Sequence, residues 1–255
     1  MNKPKNDNTQ YETVKAAILI SSCDKYYDLW EPFFSLFFKY WPDCPYQVYL
    51  STNHKIYDNP RVNIIRMGED ADWTTGFRFS LDQIPYKYVI VMMEDFLPIQ
   101  SVDTHRIEKL ISFMENKGAG CLRLYPCPGP DLPCSDNQDV GEISKGSAYR
   151  LSLQAAVWDK KILLELLRDG ESAWELEIKG TERTNELEAP FLSVRENSPI
   201  PYYCTAVVKG KWVKGAVQLC KKEGIEVDLR ARPEQTMIDR FRCSKCVGRL
   251  MNLLH

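Results

Sequence analysis

Histidines and long apolar runs are both scarce in this chain of 255 residues. The three histidines, His54, His105 and His255, are far apart in the sequence and give no support to a Ser-His-Asp or Cys-His catalytic arrangement. No stretch approaches the roughly 18 consecutive apolar residues of a membrane-spanning helix. The start of the chain is polar and lacks the apolar core of a signal peptide. We therefore expect a cytoplasmic protein.

An excess of charge of either sign is also lacking. Lysine and arginine number 33 against 35 aspartates and glutamates, so the formal net charge is -2. General nucleic-acid binders normally have a basic balance, so we expect no nucleic-acid partner. With 44% hydrophobic residues, the chain can form a sizeable core in one domain, with or without an appended lobe.

The nine cysteines form no compact framework. Their number is odd and they are scattered between Cys23 and Cys246, which favours free thiols in a reducing compartment over a disulfide-stapled domain. Cys243 and Cys246 have the spacing of half a zinc site. A structural zinc site needs four ligands, however, and no second pair follows them. We therefore expect no structural zinc.

Short apolar runs rich in β-branched residues alternate with segments of helical spacing. This alternation favours a twisted, largely parallel sheet with covering helices. The seven prolines and glycines between residues 126 and 147 predict a long loop. The predicted strands are 16–22, 46–51, 62–67, 89–93, 121–125, 148–158 and 202–208. The predicted helices are 29–41, 72–84, 103–117 and 159–167.

Two acids follow the most apolar of these strands. The run from Val89 to Met93 is unbroken and too short for a helix, so it predicts a strand buried on both faces, as in the middle of a parallel sheet. Glu94 and Asp95 come next, and ligands of open α/β folds bind at the carboxyl ends of the strands. Adjacent carboxylates repel each other unless they share a positive charge. A divalent cation on a phosphorylated ligand is a common solution.

With these elements in this order, residues 14–215 resemble a GT-A glycosyltransferase of the kind found in bacterial polysaccharide and lipopolysaccharide assembly. In that family, strand-end acids form an Asp-x-Asp motif that holds Mn²⁺ or Mg²⁺ on the diphosphate of a nucleotide sugar. Glu94 and Asp95 take that place here. Phe96 departs from the motif, because a Glu-Asp-Asp form would have a third acid at its position.

The resemblance implies a fold and a division of the chain. The fold is a Rossmann-like GT-A sheet, mostly parallel and twisted, with flanking helices and a small helical extension. Residues 1–12 would be a disordered tail, 13–215 the glycosyltransferase domain and 216–255 the C-terminal helical extension.

The resemblance also implies contacts with a UDP-, GDP- or dTDP-linked sugar donor. Ser21, Ser22 and Asp24 follow the first strand and would lie near the nucleotide base. Asn53, after the second strand, would lie near the base or the ribose. Arg78 would reach the sugar or the diphosphate, since a guanidinium can pair with phosphate in bidentate fashion. A solvated helix charge is the alternative for Arg78, and an ordinary basic turn is the alternative for the two lysines below. The remaining implied donor contacts are Trp73, Lys209 and Lys211.

An inverting member of the family needs a general base to take the proton of the acceptor hydroxyl, an effect worth about 10²- to 10⁴-fold in rate. In the family this is an acid at a helix start, which points here to Glu171 or Glu175. Ser172 and Glu175 also match a helix capping box, so a structural role is the alternative. The implied contacts of a saccharide or lipid-linked acceptor are Trp174 and Gln154.

Two other functions stay open. A sugar nucleotidyltransferase would share the sheet and the acids, but it usually has a glycine- and Lys/Arg-rich phosphate loop after the first strand. Residues 21–25 contain no glycine. A non-catalytic carbohydrate-binding or assembly protein on the same fold is the other alternative. The basic, amphipathic tail over 233–255 would either pack on the domain or contact the inner face of a membrane, where lipid-linked acceptors are found.

Overall fold

A nine-stranded sheet forms the centre of the protein. The computed structural model describes residues 16–69, 72–237 and 239. The strands are β1 (Ala16–Ser21), β2 (Gln47–Thr52), β3 (Val62–Arg66), β4 (Tyr88–Met93), β5 (Leu97–Pro98), β6 (Cys121–Arg123), β7 (Leu132–Pro133), β8 (Val140–Glu142), β9 (Ala156–Asp159), β10 (Phe191–Val194), β11 (Tyr202–Tyr203), β12 (Val207–Val208) and β13 (Lys211–Trp212). The large sheet has the order β3-β2-β1-β4-β9-β6-β10-β8-β7, while β11 pairs with β5 and β12 with β13.

In the large sheet, every described strand except β8 and β9 runs in the same direction. The expected α/β fold with a mostly parallel sheet is therefore confirmed. Strand β4 lies between β1 and β9, in the interior of the sheet, and its residues from Tyr88 to Met92 are buried. This is the environment that its unbroken apolar run predicts.

Helices cover both faces of the sheet. Side chains of a strand alternate between faces, and Ile18 and Ile20 of β1 pack in one cluster with residues of α1, α3 and α7 while Leu19 packs in the other with residues of α2 and α4. The helices are α1 (Trp30–Tyr40), α2 (Trp73–Asp82), α3 (Thr104–Lys117), α4 (Lys160–Leu166), α5 (Ala173–Glu175), α6 (Thr181–Thr184) and α7 (Lys214–Lys222). A 3₁₀ segment, Asp24–Leu29, precedes α1, and a π segment, Leu176–Gly180, joins α5 to α6.

The ends of the longer helices follow their local sequence. The carboxylate of Asp72 caps α2 by accepting the backbone N–H of Thr75 at 2.8 Å. Asp103 does the same for α3 through the N–H of Arg106 at 2.9 Å. Gly118 ends α3 in the left-handed region at φ 60°, where a Cβ would be strained. A glycine therefore suits the residue that follows this helix.

The predicted strand over 148–158 is wrong in its first half. Strand β9 begins only at Ala156, because the preceding residues leave the sheet: Tyr149 has φ 53°, and the buried guanidinium of Arg150 donates to the carbonyl oxygens of Ile143 and Thr184. The buried Arg123 likewise donates to the carbonyl oxygen of Tyr149. The guanidinium of Arg123 therefore bonds to backbone that a strand would have paired, and that of Arg150 ties the same stretch to two other segments.

Two other predicted boundaries also differ. The strand expected over 202–208 is two short strands, β11 and β12, separated at Thr205 by a residue with φ 66°. The loop expected over 126–147 contains β7 and β8, which extend the sheet. Strand β10 was not predicted, although its run Phe191–Val194 is fully buried. A run of four residues between a helix and a loop is too short for its periodicity to be read.

The last described helix belongs to the main core. Ala216 and Cys220 of α7 are buried in the same cluster as the aromatic residues of α1, so the division expected at residue 215 falls inside a packed helix. That division stays a prediction. The expected tail over 1–12 and the residues from 240 onward lie outside the described part of the chain. Within the described part, no helix has the length and apolar character needed to cross a membrane.

Replacing Phe37 with alanine tests the aromatic packing of α1. The Phe37 side chain is 1% exposed, and its ring lies 5.7 Å from that of Phe33 and 5.5 Å from that of Trp41. We expect Phe37→Ala to lower the free energy of unfolding by about 3–5 kcal/mol, measured by urea denaturation. The matched control is Phe38→Ala, because the Phe38 ring is partly exposed beneath Arg61. Equal losses for both variants would contradict the description of α1 as a core helix.

Candidate functional site

A cavity of about 390 Å³ opens at the carboxyl ends of β1 and β4. Five of the residues expected at a donor site line it together: Ser21, Ser22, Trp73, Glu94 and Asp95. The other lining residues come from the segments around them: Cys23, Tyr26, Met67, Asp72, Gly76, Phe77, Met93, Ala173 and Val207. The lining thus combines acids and hydroxyls from the strand ends with aromatic side chains from the helices.

The register of two parallel strands brings the acids beside the hydroxyls. Ser21 at the end of β1 pairs with Met93 at the end of β4. Ser22 and Glu94 therefore leave the sheet side by side. The hydroxyl of Ser22 accepts a hydrogen bond from Nε1 of Trp30 at 2.8 Å, which fixes the turn after β1 to the buried start of α1.

Glu94 is a buried carboxyl with an unused oxygen. Glu94 is 5% exposed, and its Oε2 has no hydrogen-bond partner among the described residues. Burial is the main cause that raises the pKa of Glu94 well above its usual value, and the charge of the neighbouring Asp95 raises it further. A buried polar atom without a partner is destabilising. This atom is therefore a candidate ligand atom.

Asp95 is held by the hairpin that β12 and β13 form. The N–H of Ala206 donates to the backbone carbonyl oxygen of Asp95 at 2.9 Å. Burial raises the pKa of Asp95 to about 6, and a hydrogen bond from the N–H of Val207 to the carboxylate partly opposes this shift. The hairpin thus positions the second acid without neutralising it.

A divalent cation fits the chemistry of this acid pair. Oxygen ligands suit Mg²⁺ and Mn²⁺, and Mg²⁺ is usually held by one or two carboxylates together with water and substrate phosphates. Glu94 offers a buried oxygen to which no described residue bonds, and Asp95 lines the same cavity. No cluster of three or more His, Cys, Asp or Glu able to hold a metal occurs in the described residues. A cation would therefore complete its coordination with water and a phosphate.

Phe96 stands where a third acid of the motif would be. It is 5% exposed, and its ring stacks on that of Tyr202 with the centroids 4.8 Å apart. Tyr202 in turn contacts the ring of Tyr125 at 4.4 Å. The position is thus filled by an aromatic stack beneath the site, which leaves Glu94 and Asp95 as the two acids of the strand end.

Asp24 and Asn53 lie beside the cavity but do not line it. They bond reciprocally, since the N–H of each donates to the side-chain oxygen of the other at 2.9 Å. The carboxylate of Asp24 also accepts the backbone N–H groups of His54 and Lys55. In this structure the pair holds the ends of β1 and β2 together.

The two predicted donor residues of α2 face different directions. Trp73 lines the cavity, and its ring stacks on that of Phe77 at 4.6 Å. Arg78 instead contacts the end of α4. Its Nη2 donates to the carbonyl oxygen of Leu167 at 3.0 Å, and its Nε donates to Asp169 at 3.2 Å.

Residues 171–177 form an acidic turn that borders the cavity through Ala173. The two expected bases in this turn, Glu171 and Glu175, do not line the cavity and bond to other side chains. The carboxylate of Glu171 is buried and forms a bidentate pair with Arg183 at 2.9 and 2.6 Å. Glu175 and Ser172 form the capping box that the sequence predicts. Hydrogen bonds from Ser172 and Lys179 lower the pKa of Glu175 to about 2.

Glu177 was not singled out from the sequence. Its carboxylate accepts the N–H of Leu153 at 2.8 Å and the hydroxyl of Ser152 at 3.2 Å. Burial is the main cause that raises its pKa above the usual value. It lies on the π segment, a helical irregularity that is frequent at functional sites.

The predicted acceptor contacts and lysines lie outside the cavity lining. The Trp174 side chain is 56% exposed, and Oε1 of Gln154 accepts the hydroxyl of Tyr202 at 2.7 Å. Lys209 is at the turn of the β12–β13 hairpin with φ 51°. Nζ of Lys211 pairs with Asp239 at 2.9 Å.

Comparisons with known proteins give similarity of structure alone. No model of a protein family matches the chain, and no curated protein matches it. A UDP-glucose pyrophosphorylase in complex with UDP-glucose is similar with a TM-score of 0.52 at 10% identity, over 83% of this chain and 99% of that chain. TarS 1–349 from S. aureus has a TM-score of 0.49 at 11% identity, over 75% and 60% of the two chains. The 2-C-methyl-D-erythritol 4-phosphate cytidylyltransferase from Thermus thermophilus has a TM-score of 0.47 at 12% identity, over 82% and 98%.

At an identity of 10%, the structural similarity to the pyrophosphorylase establishes the fold and nothing about the reaction. The pyrophosphorylase matches along almost its whole length, so this chain shares its α/β fold. The expected resemblance is confirmed at that level. The chain spans about 60% of the TarS fragment.

The low pKa of Glu175 has a consequence for stability. Its pKa is lowered in the folded protein from 4.5 to about 2, so below pH 4.5 the unfolded chain binds the proton first. The stabilisation from the capping box should therefore be present above pH 4.5 and decrease as the pH falls towards 2. Urea denaturation of the wild type and of Glu175→Gln between pH 6 and pH 3 measures this stabilisation. The difference between their free energies of unfolding should become smaller as the pH falls. A constant gap would show that the carboxylate is not in the capping box.

Proposed function

We propose that this protein is a glycosyltransferase that transfers a sugar from a nucleotide-sugar donor to a saccharide or lipid-linked acceptor. The observation that carries the proposal is the acid pair of Glu94 and Asp95. It lies at the carboxyl end of the central strand, in a cavity, with one buried oxygen that has no partner among the described residues. A divalent cation would supply the positive charge that such a pair needs. The phosphate oxygens of a nucleoside diphosphate would complete the coordination of that cation.

The cavity offers separate surfaces for the parts of such a donor. We assign Glu94 and Asp95 to the cation on the diphosphate, and Ser21 and Ser22 to hydrogen bonds with the nucleotide. The aromatic face of Trp73 is assigned to the nucleoside or the sugar. Asp24 and Asn53 would act by fixing the strand ends, and Lys209 and Lys211 by covering the diphosphate. The contacts of Arg78 at the end of α4 leave it without a role in this proposal.

When bound, the cation would neutralise the charge of the departing diphosphate. The chain's own residues then have to orient the donor, exclude water and accept the proton of the acceptor hydroxyl. The acceptor would approach from the acidic turn, since Ala173 borders the cavity and Trp174 next to it is exposed. A sugar ring can stack on such a tryptophan.

Three variants test which acid of residues 171–177 accepts the proton. Glu171 is paired with Arg183, and the low pKa of Glu175 makes it a weak base, whereas burial raises the pKa of Glu177 above its usual value. We expect one of the variants Glu171→Gln, Glu175→Gln and Glu177→Gln to lower kcat by about 10²- to 10⁴-fold with the donor Kd unchanged. Steady-state kinetics and donor titration measure this. Full kcat in all three would place the base elsewhere.

A nucleotidyltransferase that makes an activated sugar is the second candidate. It is favoured by the similarity to UDP-glucose pyrophosphorylase. Against it, the segment after β1 contains no glycine, and the carboxylate of Asp24 in that segment is bonded to the chain after β2. Product analysis separates the two functions. A glycosyltransferase releases a nucleoside diphosphate from a nucleotide sugar, whereas a nucleotidyltransferase releases pyrophosphate from a nucleoside triphosphate and a sugar phosphate.

Donor binding is tested by thermal unfolding. A ligand that binds only the folded state raises the midpoint by mass action. We expect one nucleoside diphosphate, or its sugar conjugate, to raise the Tm of the wild type in Mn²⁺ and to raise it less in a chelator. We expect Asp95→Ala to remove the shift while the protein remains folded.

The matched control is Asp43→Ala, because Asp43 is exposed and does not line the cavity. It should keep the full ligand-induced shift. Full activity of Asp95→Ala would contradict the central assignment. A wild type that responds to none of the UDP, GDP and dTDP compounds would leave a carbohydrate-binding or assembly role on this fold.

A further inference from the structure

A buried ion pair lies beside the candidate site and was not singled out from the sequence. Nε and Nη2 of Arg232 donate to the two carboxylate oxygens of Asp28 at 2.8 and 2.9 Å. The side chains are 6% and 4% exposed, respectively. Asp28 is on the 3₁₀ segment after β1, while Arg232 follows α7, about 200 residues later in the chain. Sequence reasoning could not have paired them.

Arg232 contacts two walls of the cavity. Its Nη2 also donates to the carbonyl oxygen of Lys25 at 2.9 Å, and its guanidinium lies 4.6 Å from the centroid of the Tyr26 ring, which lines the cavity. Its Nη1 donates to the carbonyl oxygen of Gly210 at 3.2 Å, at the turn of the hairpin whose other end holds Asp95. The cation is therefore fixed between the 3₁₀ segment and the hairpin.

The charges of this pair act on the acid pair across the Tyr26 wall. The Arg232 guanidinium lies 4.6 Å from the centroid of the Tyr26 ring, and Tyr26 lines the cavity together with Glu94 and Asp95. The Asp28–Arg232 pair thus adds one carboxylate and one guanidinium beside a cavity that Asp72, Glu94 and Asp95 line. Charges at buried positions are screened far less than those at the surface, so a change of one unit here should be felt by any ion in the cavity.

We propose that the Asp28–Arg232 pair is the built-in counter-charge of the site, and that it sets the balance between cation binding and diphosphate binding in the cavity. Both members are positioning residues, since neither lines the cavity itself. The proposal rests on the proposed function for its ligands. It predicts the direction in which each variant changes the affinity for a cation and the affinity for an anion. Removing the positive member favours a cation and disfavours an anion, and removing the negative member does the reverse.

The test uses two probes, Mn²⁺ alone and inorganic pyrophosphate with a chelator. We expect Arg232→Gln to bind Mn²⁺ more tightly and pyrophosphate more weakly than wild type. Asp28→Asn should bind Mn²⁺ more weakly and pyrophosphate more tightly. Each change should be on the order of tenfold, because one unit of charge is altered within a partly buried cluster. The double variant should return towards the wild-type affinities. Mn²⁺ affinity is measured by electron paramagnetic resonance and pyrophosphate affinity by calorimetry.

A purely structural pair would behave differently. If the two residues only hold the segments together, both single variants should weaken both probes, and that result would overturn the proposal. Arg150→Gln is the matched control, because Arg150 is also buried, also donates to carbonyl oxygens and lies 4.3 Å from the ring of Phe191. It should lower the Tm and leave both affinities unchanged.

Arg232→Lys keeps the test decisive if the glutamine variant does not fold. It retains the charge but loses the two-pronged contact with Asp28, so the Tm should fall while the Mn²⁺ affinity stays near that of the wild type. A change of Mn²⁺ affinity as large as in Asp28→Asn would contradict the proposal, as would a wild type that binds neither probe. Opposite signs in the two single variants, with no nucleotide sugar bound or turned over, would uphold the counter-charge and reject the transferase.

Discussion

The site depends on the burial of two adjacent carboxyls at the end of the central strand. Glu94 has almost no exposure to solvent, and one of its oxygens has no partner among the described residues. Such an arrangement is unfavourable by itself, because a buried acid loses its hydration and the neighbouring Asp95 adds repulsion. The pKa of each carboxyl is raised accordingly. The surrounding fold therefore has to stabilise a local arrangement that is unfavourable by itself.

The rest of the structure supplies that stabilisation from several directions. The interior sheet position of β4 fixes where the acids emerge, and the pairing of Ser21 with Met93 sets their neighbours. The hairpin of β12 and β13 binds Asp95 through backbone N–H groups. The aromatic stack of Phe96 and Tyr202 packs beneath it. Each of these contacts comes from a different part of the chain, so the geometry of the acid pair is a property of the whole fold.

The part of this arrangement that depends on local patterns could be predicted from the sequence. The buried run before Glu94, the capping box of Ser172 and Glu175 and the glycine cap of α3 each follow from a few neighbouring residues. The predictions failed where a side chain bonds to backbone far away in the sequence, as Arg150 before β9 does with Thr184. Contacts across long separations, such as that of Arg232 with Asp28, leave no trace in spacing or periodicity. The sequence also did not show which way a helix side chain points. Arg78 could be placed on α2, but its contact with Leu167 could not be predicted.

The β12–β13 hairpin has the form of a loop that would ordinarily tolerate change. Val208 and Lys211 pair across a two-residue turn, and both turn residues, Lys209 and Gly210, have positive φ, the geometry that closes the tightest hairpins. Exposed turns of this size are common points for insertions and for circular permutation. Here the same turn is bonded on one side to Arg232, and the strand that enters it binds Asp95. The length of the turn is therefore constrained by its contacts beside the candidate site, and relatives with the same acid pair should vary in length at other loops.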